Sequence, residues 1–156
     1  MGCNFRVIDL GDAKRTLTAI ESSPETGFDF RKFAMEQLAN LQNYNWCGVY
    51  VLSGDELVLD AYVGAPTDHV RIPVGRGVCG TAVAENENQI VEDVSLLENY
   101  LACSLTTKSE IVVLMRNSSG LILGQIDIDG HSVGAFDKSD EDFLEGVARI
   151  LAEKWE

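Results

Sequence analysis

The sequence has no apolar run approaching the roughly 18 residues that a membrane-spanning helix needs. Its opening, MGCNFRVIDL, has neither a charged leader segment nor a long apolar one. These absences argue against a helical membrane span and a secretory signal, and predict a cytoplasmic chain. The Met-Gly-Cys start does not make a myristoylation signal, because Arg6 stands where Ser or Thr is required. Bases are scarce, with 12 Lys and Arg against 25 Asp and Glu and a net charge of −13. Nucleic acids and anionic membranes reward the opposite balance, so neither is expected as a partner. The excess of acids favours solubility and names no ligand.

Histidine and cysteine are also sparse: His69 and His131, and Cys3, Cys47, Cys79 and Cys103. No CxxC pair occurs and neither histidine stands in a ligand cluster, so no zinc site and no other cofactor is expected. In a reducing compartment the thiols stay reduced, and any disulfide would be transient and catalytic. Cys3 and Cys47 read as small buried hydrophobes. The sequence has no repeat and no Pro- or Gly-rich linker. Its 156 residues, 46% hydrophobic, therefore predict one domain over 1–156.

What is present is hydrophobic periodicity. It predicts helices over 12–22 and 29–43, the second with Phe30, Phe33, Ala34, Leu38 and Leu41 at helical spacing and Asp29 as N-cap. Strands over 46–52 and 57–63 come next, joined through Ser53-Gly54-Asp55. Residues 64–77 read as irregular, 78–86 as a short helix, 89–94 as a strand, and 95–108 as a loop or irregular helix. A hairpin over 110–116 and 121–129 turns through 117–120. A last helix opens on Ser139 and Asp142 and lines Leu144, Val147 and Leu151 along one face. Antiparallel pairs with helices at both ends make an α+β fold, a central antiparallel sheet flanked by N- and C-terminal helices.

The second hairpin carries the most chemistry. A four-residue turn pairs Arg116 with Leu121 and sets Glu110 opposite Asp127. Strand alternation then puts Ile111, Val113, Met115, Ile122, Ile126 and Ile128 on a core face. The other face takes Glu110, Val112, Leu114, Leu123, Gln125, Asp127 and Asp129. Three carboxylates at one end of one face repel one another, which raises at least one carboxyl pKa. Such a cluster binds a cation, and its protonated member can act as a general acid. A solvated acidic strand end is an equally open reading of the same residues.

Trp46, Gly48 and Tyr50 alternate onto one face of the first strand, either as packing or as the wall of a site for an apolar or cationic small molecule. Gly75-Arg76-Gly77-Val78-Cys79-Gly80 spells GxGxxG. The Pro73-containing segment before it, the short helix and the lack of a second βαβ unit argue against a dinucleotide site. The run does put Cys79 near a helix N-terminus, where the dipole favours a thiolate.

Taken together, Asn45-Trp46-Cys47-Gly48-Val49-Tyr50, the 75–82 segment through Thr81-Ala82, Ala102-Cys103-Ser104, Ser109-Glu110-Ile111-Val112-Val113 and Asp127-Ile128-Asp129 resemble the free methionine-R-sulfoxide reductases, a branch of the GAF superfamily. The order and intervals match over nearly the whole chain. The resemblance implies a GAF fold, a homodimer, and reduction of free methionine-R-sulfoxide with a thioredoxin-like reductant. It places Cys103 as the catalytic thiolate and Cys79 as the resolving cysteine. It makes Glu110, Asp127 and Asp129 substrate-binding carboxylates, and Trp46 and Tyr50 an aromatic wall. The implied chemistry runs through a sulfenic acid and an intramolecular disulfide. Many members carry a third cysteine where this chain has His69, so a relay through that position is absent here. The alternative expectation is a GAF module that binds a small ligand without reacting.

Overall fold

The computed structural model describes residues 8–98, 100 and 106–156. The chain order is α1 (Leu10–Glu21), α2 (Gly27–Leu38), β1 (Trp46–Ser53), β2 (Glu56–Val63), β3 (Arg71–Pro73), α3 (Gly77–Glu85), β4 (Gln89–Val91), a 3-10 turn (Val94–Leu96), β5 (Ser109–Arg116), β6 (Ile122–Gly130) and α4 (Lys138–Glu153). The strands form one six-stranded sheet in the order β3-β2-β1-β6-β5-β4. Every pairing in it is antiparallel. This is the expected α+β arrangement.

The sheet separates two apolar layers. On one face α1, α2 and α4 bring Ile20, Phe30, Met35, Leu38, Leu144 and Leu151 against Ile111, Val113, Met115, Ile126 and Ile128. On the other, α3 covers Trp46, Tyr50, Leu57, Ile72, Val112 and Leu114. Strands β1, β5 and β6 are buried on both sides because each face has a cover, so their sequences are near-continuous apolar runs. No helix among the described residues is long and apolar enough to cross a membrane.

Several local expectations are corrected. Asp29 lies inside α2, whose N-cap is Thr26, so the helix starts a turn earlier than its apolar spacing suggests. That helix also ends at Leu38, and Leu41 is buried from the turn beyond it. Helix α4 is capped by Asp137 with Asp140 closing a capping box, not by Ser139 and Asp142. Tyr44 donates a 2.7 Å hydrogen bond to Asp140 Oδ1, which ties that cap to the loop before β1. The segment 64–77 contains β3, a three-residue strand on the sheet's edge, where Pro73 is tolerated. Strand β4 stops at Val91, because Asp93 caps the turn immediately after it.

The correction that matters for the site is one of register. Asn117 Oδ1 accepts from Ser119 N and Leu121 N, and its backbone N–H donates to Leu121 O, which lengthens the turn. Arg116 therefore pairs with Ile122, and an irregularity beside Met115 resets the ladder so that Glu110 opposes Asp129 and Val112 opposes Asp127. The body of the hairpin is shifted by two residues from the expected register. Side-chain period in a strand is two, so the faces survive the shift. Ile122 is the exception: lying beyond the irregularity, it packs on the α3 side instead of in the helical core.

Candidate functional site

Each wall of the site comes from a separate element. Cys79 is the third residue of α3. The tight turn before it brings Pro73 O within 2.5 Å of where a Cβ on Gly80 would stand, so only glycine lets the helix start close down on the sheet. Gly75 N donates to Gly80 O at 2.8 Å and Gly80 N to Arg76 O at 2.9 Å. The GxGxxG run is thus a packing device that seats Cys79. Its sulfur meets the Glu110 carboxyl of β5, with Sγ 3.8 Å from Oε1. Ligand atoms of Cys79, Glu110 and Asp127 all lie within 4.8 Å of one another, close enough to close on one cation, organic or metallic. Asp129 completes the group, opposite Glu110 on β5 and Trp46 on β1.

All three carboxylates are buried, Asp127 and Asp129 at 0% exposure and Glu110 at 2%. Burial first, and then the charges of Asp127 and Asp129, hold the Glu110 carboxyl well above the ordinary range. Burial also raises Asp127, partly offset by hydrogen bonds from Glu110 and Cys79. Both carboxyls are thus pushed toward their protonated forms, Glu110 the more strongly. No lysine or arginine among the described residues contributes to either shift. Neither Asp127 oxygen receives a hydrogen bond from a fixed N–H or O–H donor among the described residues. What faces it are groups whose own protons titrate. Ionising carboxylates buried this way is costly, and a bound cation would offset that cost.

The aromatic wall stands on β1. Trp46 and Tyr50 have ring centroids 6.5 Å apart, and Trp46 stacks on Tyr62 of β2 at 5.7 Å and 18°. Their polar ends tie down the loop beside the site: Trp46 Nε1 donates to Ala65 O at 2.9 Å and Tyr50 Oη to His69 O at 2.8 Å. His69 accordingly enters the structure through its backbone carbonyl, held by the wall. The indole lies across Gly48, where an added Cβ would stand 2.4 Å from Cη2. Gly48→Ala is expected to displace the indole, with a loss of about 1–3 kcal/mol as for other overpacked sites. Urea unfolding of the variant checks this, and unchanged stability would show that the indole is free to move.

Of the expected site residues, the structure brings together Cys79, Trp46, Tyr50, Glu110, Asp127 and Asp129. Cys103 lies outside the described residues. Cys47 points to the other side of the sheet, where burial pushes its thiol up and its Sγ bonds Tyr44 O at 3.7 Å, in keeping with a structural role. Two further residues flank this group. Tyr62 backs the indole from β2, a strand whose apolar pattern alone does not mark it. Gln125, fully buried, shares its strand face with Asp127 and Asp129, and that alternation is the sequence signal for it. A cavity of about 360 Å³ opens beside the start of α3, between Val78, Thr81, Val91 and Leu96. The carboxylates are not among its walls; they lie in the packed layer under α3.

Residues 32–154 match the model of the GAF domain. The chain is 32% identical to the free methionine-R-sulfoxide reductase of Neisseria meningitidis, whose structure holds its substrate, with a TM-score of 0.88 over 99% of this chain and 95% of that one. This chain is a GAF-family protein of the free methionine-R-sulfoxide reductase branch. In that family it is also 43% identical over 115 residues to the Escherichia coli enzyme, covering 72% of this chain and 66% of the relative. The Saccharomyces cerevisiae enzyme is 42% identical over 110 residues, 69% of this chain and 61% of the relative. The aligned part thus spans just under two-thirds of the length of these two relatives.

Proposed function

We propose that this chain reduces free L-methionine-R-sulfoxide to methionine in a single GAF domain spanning 1–156. The observation that carries the reading is the convergence of three buried carboxylates and the Cys79 thiol beside the Trp46–Tyr50 wall. Asp127 and Asp129 receive the ammonium of the free amino acid, a cation that balances their charge. Glu110, the carboxyl that keeps its proton, hydrogen-bonds the sulfoxide oxygen and donates to it as it leaves. The aromatic rings take the S-methyl end.

The Cys103 thiolate attacks the sulfoxide sulfur. In the resulting S–S adduct the oxygen, protonated by Glu110, moves to the cysteine sulfur as the methionine S–O bond and the new S–S bond break, which releases methionine and leaves Cys103 as a sulfenic acid. The Cys79 thiol condenses with it, releasing water and forming a Cys79–Cys103 disulfide. An external dithiol of thioredoxin type returns both cysteines to thiols and is itself oxidised. Sulfur in the substrate gains two electrons and the donor loses two, so the cycle closes. A cytoplasmic location supplies that reducing environment, and the protein works as a homodimer.

The test is a reductant-coupled assay on both epimers of free methionine sulfoxide and on the N-acetylated, C-amidated R form. The free R epimer is expected to be preferred over the blocked substrate by about tenfold to a hundredfold or more, since a blocked amine leaves the carboxylates unpaired. The S epimer cannot point oxygen at Glu110 and sulfur at the thiolate together without turning its methyl out of the wall. Comparable rates on the three substrates would remove the pocket from the mechanism. Binding without turnover would make the chain a ligand-sensing GAF module.

A further inference from the structure

Gln125 is at 0% exposure, and neither Nε2 nor Oε1 of its amide has a hydrogen-bond partner among the described residues. Leaving such a group unmade in a finished core is unfavourable, so an orphaned amide calls for an explanation. The ladder gives its place. Gln125 stands opposite Tyr50 on β1 and Leu114 on β5, both in the layer under α3. It is one row along β6 from Asp127 on the same face, roughly 7 Å at two residues of strand rise.

This amide puts a donor one row from the Asp127 carboxylate and two from that of Asp129. A free amino acid brings an anion as well as a cation. Asp127 and Asp129 attract its ammonium and repel its carboxylate, which must therefore turn away from them. Along β6 the next polar side chain on that face is Gln125. We propose that Gln125 is a specificity residue whose Nε2 donates to the α-carboxylate of the bound amino acid. The inference rests on the amino-acid reading of the site given above and adds its second recognition point. Together the acids and the amide select a zwitterion, one charge by each.

The experiment compares two ligands that share an ammonium and differ only at the carboxyl: methionine sulfoxide and its α-carboxamide. Calorimetric binding to the intact protein is read beside turnover, for the wild type and for Gln125→Met, which keeps length and removes the amide. The wild type should favour the free acid. In the variant the free acid should bind about ten- to a hundredfold more weakly, as for a lost hydrogen bond to a charged group. The carboxamide should bind both proteins alike, so the preference collapses. Thermal unfolding of Gln125→Met should be unchanged or higher, because an unsatisfied polar group has gone. Gln125→Glu, a second variant of similar length, should reverse the preference, since it repels the free acid.

Equal weakening of both ligands, or no change in either, would overturn the assignment and make Gln125 a structural group. Failure of the underlying reading looks different: the wild type would bind neither compound, and both proposals would fall together. Binding with intact selectivity but no turnover would keep Gln125's role and remove only the enzyme.

Discussion

Cys103→Ser is expected to lower turnover of free methionine-R-sulfoxide by on the order of 10³-fold or more, whichever reductant is supplied, because the nucleophile that opens the S–O bond has gone. A serine hydroxyl at the same place has neither the nucleophilicity of a thiolate nor a route to a sulfenic acid. Substrate binding should persist, since the carboxylates and the aromatic wall are untouched. Cys79→Ser should separate the two halves of the cycle. A small dithiol that reaches the Cys103 sulfenic acid directly should sustain turnover, whereas a thioredoxin-type donor, which needs a disulfide to attack, should not. Mass spectrometry after one addition of substrate should find a Cys79–Cys103 disulfide in the wild type and an oxidised lone cysteine in Cys79→Ser. Full activity of Cys103→Ser would transfer the attacking role to Cys79, whose Sγ already stands 3.8 Å from the Glu110 carboxyl.

The acids of this site were legible in the sequence for a reason that also limits such reading. Glu110, Asp127 and Asp129 alternate with buried aliphatic residues, and alternation survives any register error of even length. The hairpin was displaced by two residues, through the Asn117 turn and the irregularity beside Met115, and the acids still faced one another. Ile122 lay beyond that irregularity and changed sides. Local pattern does not reach the Cys79–Glu110 contact. Those residues are 31 apart, in α3 and β5, and meet because the Gly75–Gly80 turn lets the helix lie close on the sheet. The fastening of the 64–70 loop by Trp46 and Tyr50 was hidden for a similar reason: both bonds go to backbone carbonyls, which no side-chain pattern announces. Edge strand β3 was missed because three residues carry too little alternation to register.

Glu110→Gln should move stability and activity in opposite directions. Burial and the neighbouring anions raise the Glu110 carboxyl above its ordinary 4.5, so the folded protein keeps a proton that the unfolded chain releases. A group shifted this way contributes most below about pH 4.5, and its contribution declines as pH rises toward the folded value. Glutamine carries no such proton, so the variant should lack that decline. Its amide can also donate to Asp127, whose oxygens have no fixed donor among the described residues. Between pH 5 and 8 the unfolding midpoint of Glu110→Gln should therefore lie above that of the wild type, with a gap that widens as pH rises until the Glu110 carboxyl itself ionises. Turnover should fall by about 10²- to 10⁴-fold, the usual contribution of a general acid, because an amide N–H can hydrogen-bond the sulfoxide but cannot deliver a proton to the departing oxygen. Thermal unfolding across that range, read beside kcat on the same preparation, decides it. A variant that loses stability and activity together would make Glu110 a structural anchor. One that gains stability and keeps its rate would remove it from proton transfer. A firmer fold with a slower reaction is the split expected of buried acidity that is held in place for the substrate and not for the fold.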